Sequence, residues 1–182
     1  MIENGLNKFY WGFLFIMMDI KISGFDILPD IIGYILFAIG FSILAEKSNF
    51  FINAENVNIV MIILSVFNIY EKPFQGEGVQ FGVYGTLSVL LAIASLVFSL
   101  LVVYNLFMGI KDLAKTKAKF DIIEEVDKKW NQYLILRVAA MLAFVLMFIP
   151  PLAVIYIVVM LIASIFLTII IMEFIKGCER CL

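Results

Sequence analysis

The sequence predicts an all-α fold, a polytopic transmembrane helical bundle of about six spans with both termini cytoplasmic. Three observations carry this reading. Apolar residues make up 64% of the 182 positions and charged residues 15%, with a mean hydropathy of +1.07. Soluble domains sit near about 45–50% and about 25%. The apolar residues gather into six stretches that reach or approach the roughly 20 residues a membrane helix needs. Finally, a six-span threading puts eleven Lys and Arg residues on one side and only Lys21 and Lys72 on the other, the asymmetry that orients cytoplasmic loops. High hydrophobicity excludes disorder. A formal net charge of −2 leaves no basic field for nucleic acid, and the lack of any histidine removes His-ligated metals and Ser-His catalysis.

The first stretch, residues 6–20, is short. Lys8, Tyr10 and Trp11 suit an interface. Asp19 and Lys21 stand where a signal peptide would carry its small cleavage residues, so the stretch reads as a retained span. Without it, five spans remain and the N-terminus lies outside. The second, 27–45, has Asp26 as a natural N-cap, Pro29 in the first turn and Asp30 favoured by the helix dipole. The third, 57–70, is again short. The fourth, 79–110, exceeds one span, and Gly82, Gly85, Ser88, Ser95 and Ser99 line it with small residues. Close helix packing is the ordinary use of such a face; a narrow ligand cavity beside it is the alternative.

Residues 111–132 are polar. Ile110, Leu113, Phe120, Ile123, Val126, Trp130 and Tyr133 recur mostly three or four apart, which predicts a cytoplasmic amphipathic helix continuing the fourth span. The fifth and sixth spans, 133–149 and 152–175, are separated by Pro150 and Pro151. One unbroken helix there would be about 64 Å long, roughly twice the hydrocarbon thickness, so a hairpin is expected. The chain is a single integral domain, 1–182.

The candidate site residues are few. Asp19, Asp26 and Asp30 crowd the first outer hairpin. They either cap it or form an external site for a cation or proton, with Tyr34 one turn deeper as a hydrogen-bond partner. Arg137 and Glu173, near the cytoplasmic ends of the last two spans, are expected to form a structural ion pair. Cys178 and Cys181 make a C-x-x-C, but two sulfurs alone make an incomplete zinc site. No metal, cofactor or catalytic residue is assigned.

The run Gly-Phe-Asp-Ile-Leu-Pro-Asp-Ile-Ile-Gly-Tyr-Ile-Leu-Phe-Ala-Ile-Gly, residues 24–40, resembles a pattern in small integral membrane proteins of Gram-positive, spore-forming bacteria. That resemblance implies a bacterial plasma membrane and no particular activity. In size and span count the chain also resembles the substrate-binding subunits of energy-coupling-factor vitamin transporters. Their first span carries Ala-x-x-x-Ala, whereas this one reads Phe-Tyr-Trp-Gly-Phe-Leu. The first functional expectation is a non-enzymatic interaction or regulatory subunit. Its partners are the lipid bilayer and another membrane protein met through 111–132. The alternative is a small-solute or ion binding or transport subunit.

Overall fold

The computed structural model describes residues 1–17, 21–22, 25–26, 30–68, 83–146 and 150–182. They form six α-helices: α1 (Ile2–Met17), α2 (Asp30–Leu44), α3 (Asn49–Asn68), α4 (Val83–Thr116), α5 (Phe120–Leu146) and α6 (Pro150–Cys181). Between α1 and α2, Lys21–Ile22 and Phe25–Asp26 pair antiparallel, with Lys21 opposite Asp26. Asp26, expected as the N-cap of the second helix, belongs to that pair, and the first described residue of the helix is Asp30.

A 3-10 turn, Ala45–Lys47, leads to Ser48 in extended conformation. The Ser48 hydroxyl accepts from the Phe50 amide at 3.3 Å and donates to the Asp112 carboxylate at 2.9 Å. One side chain thus caps α3 and ties it to α4. Helix α3 begins at Asn49, eight residues before the start expected from hydropathy, because its first two turns carry polar residues.

The amphipathic stretch 111–132 is not one helix. Its first turns belong to α4 and the rest opens α5. The break is a Schellman motif: the Lys119 amide bonds the Ala114 carbonyl at 2.9 Å and the Ala118 amide bonds that of Lys115 at 3.1 Å. Ala118 takes the left-handed conformation, φ 52°. From Phe120 the chain runs unbroken out of its charged segment into its apolar one. Pro150 and Pro151 then open α6, where a first-turn proline loses no helical hydrogen bond. The expected break between the last two helices stands.

Each helix packs on its neighbours in sequence, and α6 packs on α1, so the six close into a ring. The closing joint carries a hydrogen bond from Asn7 to Glu179, 3.3 Å, and the Lys176 ammonium 5.4 Å from the centre of the Tyr10 ring. The α1–α2 joint is a glycine seam. Gly5 and Gly12 on α1 meet Gly40 and Gly33 on α2, and a methyl group built on Gly33 would lie 2.7 Å from the Gly12 carbonyl oxygen.

At the end of the ring where α1 begins and α6 finishes, Leu6, Phe9, Phe41, Leu44, Phe51 and Phe107 are fully buried. The outer surface is apolar: Ile35, Ile63, Val97, Val138, Val158 and Phe166 are among many exposed large hydrophobics. Exposed apolar surface on this scale is of the kind that meets a membrane or a protein partner. Among the described residues, three helices contain stretches long and apolar enough to cross a membrane: Asn49–Val66, Leu90–Thr116 and Val154–Cys181.

Candidate functional site

Away from the packed end the described residues leave an open cavity between the helices. A chamber of about 730 Å³ is lined from all six helices. Its polar lining comprises Asp30, Ser65, Ser95, Ser99, Arg137 and Ser164, with Tyr34 at its side. A smaller compartment of about 50 Å³ lies beneath and shares Ile16, Tyr34, Ser99, Arg137 and Ser164 with it. Its remaining walls are Phe13, Phe37, Val103, Tyr133 and Thr168. This compartment is the floor of the chamber.

The helices place these groups by their periodicity. On α2, Asp30 and Tyr34 stand one turn apart on the face that also buries Gly33 and Phe37. On α4, Ser95 and Ser99 repeat the same spacing, as do Ser164 and Thr168 on α6. Ser99 donates back to the Leu96 carbonyl at 2.9 Å and Thr168 to that of Ser164 at 2.8 Å, so both present oxygen lone pairs to the cavity. Asn58 fixes the α2–α3 joint behind Tyr34, its amide donating to the Tyr34 carbonyl at 2.7 Å.

Arg137 is the central charge. Its Nε donates to the Tyr133 hydroxyl at 3.0 Å, and its guanidinium carbon lies 5.0 Å from the centre of the Tyr133 ring. One residue thus offers both a hydrogen-bond acceptor and a π face. Arg137 also interacts through space with Tyr34 and Asp30.

The ion pair expected between Arg137 and Glu173 is not formed: no hydrogen bond or ion pair joins them among the described residues. Glu173 is exposed and lines a separate cavity of about 300 Å³ with Glu125, Lys129, Gly177 and Cys178. Counting from the hinge explains the separation. Arg137 lies thirteen residues before Pro150 and Glu173 twenty-three after it. The difference of ten residues is about 15 Å along a helix.

Of the other expected site residues, Asp30 and Tyr34 line the chamber together. Asp19 lies outside the described residues. Asp26 is placed by its backbone alone, opposite Lys21. Among the described residues no group of three or more Cys, Asp or Glu gathers in metal-binding geometry. Cys178 is buried and Cys181 exposed, both as free thiols. The sequence reading did not assign Arg137, Tyr133, Ser164 or Thr168 to a shared site.

The architecture is therefore a ring of six helices around a largely apolar cavity that also carries Asp30, Arg137 and four serines. Comparison with protein-family models, with curated proteins and with solved structures gives no match.

Proposed function

We propose that this protein is a multi-pass membrane protein that binds a small polar solute inside its helix ring, as the binding component of a transport or uptake system. All six helices cross the membrane in this reading, with residues 111–132 on the cytoplasmic face. The observation that carries it is the chamber, lined from every helix and holding an arginine. Its size falls within the roughly 300–1,000 Å³ of small-molecule sites. An ionisable group at membrane depth costs several kcal/mol unless it is compensated, and such residues mark ligand pathways by default. A subunit acting only through helix packing has no need of a hollow, charged interior. The chamber therefore favours solute binding over the interaction role expected from the basic stretch 111–132.

Native mass spectrometry of the protein released from lipid nanodiscs tests the reading. A bound small molecule is expected on the wild type and not on Ser164→Phe, whose added ring blocks the passage between the chamber and its floor, both lined by Ser164. A wild-type spectrum with lipid adducts only, matched by the variant, overturns it. Orientation is checked separately with single cysteines introduced at 77 and 117 after Cys178 and Cys181 are changed to Ser. An impermeant thiol reagent added from outside should label position 77 and spare 117.

A further inference from the structure

We infer that the floor of the chamber is a carboxylate subsite, so that the solute is an organic monoanion bound with its acid group down, against Arg137. This deepens the solute-binding reading and rests on it.

The argument begins with an inventory of donors. Arg137 spends Nε on Tyr133. Its two terminal amino groups donate to no other group among the described residues. The Tyr133 hydroxyl accepts from Arg137 and keeps its own proton for donation. Tyr34 and Ser164 bring further hydroxyls to the same compartment. The hydroxyls of Ser99 and Thr168 act there as acceptors, since their protons are already given to backbone carbonyls. No carboxylate lines the floor. Asp30 belongs to the larger chamber above it. The floor is thus rich in donors and carries one formal positive charge.

Size and charge narrow the class. A compartment of about 50 Å³ holds a few water molecules, each needing about 10–15 Å³, or one carboxylate in their place. The terminal fork of a guanidinium matches the two oxygens of a carboxylate. A carboxylate brings one charge to the single arginine, with Asp30 already within electrostatic reach of it, whereas a phosphate dianion brings a second negative charge into a poorly solvated site. The ligand body then rises into the larger chamber past Ser95 and Ser164.

The chain has two arginines, Arg137 and Arg180, and the second is exposed near the end of α6. An Arg180→Lys protein therefore has a single arginine, and phenylglyoxal modification followed by intact mass reports on Arg137 alone. In nanodiscs, benzoate is expected to slow that modification about tenfold, the ratio set by a charge-assisted pair of hydrogen bonds. Benzamide, equal in shape and neutral, is expected to leave the rate unchanged. Equal slowing by both compounds overturns the carboxylate subsite while leaving solute binding intact. Slowing by neither overturns the subsite. An arginine that phenylglyoxal never reaches overturns both readings. An Arg137→Met, Arg180→Lys double variant, which must show no modification, assigns the signal.

Discussion

The two ends of the ring are built from the same six helices and differ in what the centre-facing positions carry. Along α4 the inward series reads Ala92, Ser95, Ser99, Val103, Phe107, Ile110, small at one end and bulky at the other. On α6 it reads Met160, Ser164, Thr168, Ile171, Ile175. Where the bulky residues meet, Phe9 packs at 4.8 Å from Phe41 and 6.2 Å from Phe51, centre to centre. Where the small ones meet, the interior is the chamber. The serines of α4 and α6 remove side-chain volume where the aromatic cluster at the other end supplies it. A cavity therefore needs no special loop here, only serine where the neighbouring turn has an aromatic.

The sharpest way to break this comparison is to truncate one residue in each half. Phe9→Ala should cost about 3–5 kcal/mol, because the surrounding aromatic cluster cannot collapse into the void. Met160→Ala, whose side chain borders open space, should cost about 1 kcal/mol, since little packing is lost. Equilibrium unfolding in mixed micelles measures both, and equal losses would mean the two ends are packed alike.

The next effect separates binding from folding. Arg137→Met removes a charge from a poorly solvated site and puts an apolar chain of similar length there, so stability should stay within about 1 kcal/mol of wild type. The benzoate effect should vanish in the same protein. Tyr133→Phe keeps the ring and loses the acceptor for Arg137 Nε, and should cost about 1 kcal/mol. Loss of the fold in Arg137→Met would make that residue a structural member of the ring.

Smaller effects fall at the α4–α5 turn. Ala118→Gly should stabilise by about 0.5–1 kcal/mol, because the left-handed position penalises a Cβ and glycine carries none. At the same end, Lys111 meets the Asp127 carboxylate at 2.7 Å, with Asp127 about half exposed. Asp127→Asn should cost less than about 1 kcal/mol, and the loss should shrink in high salt.

Much of the helical architecture was legible because hydropathy and proline placement act locally. The face shared by Asp30 and Tyr34 followed from i, i+4 spacing, and the serines of α4 admitted a cavity as one of two readings. Arg137 was misplaced because its partner was sought by proximity to the helix ends rather than by residue count from Pro150. The α4–α5 break escaped notice because its left-handed residue is Ala118, where glycine is the usual signal. The glycine seam was present in plain spacing, with Gly5 and Gly12 seven apart and Gly33 and Gly40 likewise. Its meaning depends on two helices meeting in register, which neither segment states alone.

A ring also implies an order of construction. The principal joints link helices adjacent in sequence, except the one between α6 and α1. Contacts between sequence neighbours close short loops, so they form early and at small entropic cost. A joint spanning the whole chain must wait for the last helix. During synthesis the wall therefore rises one helix at a time, and the chamber stays open along one flank until α6 docks. Asn7, Tyr10, Lys176 and Glu179 then act as the latch. Weakening them should leave the five earlier joints assembled and yield an opened ring, the first stage of unfolding as well as the last of folding.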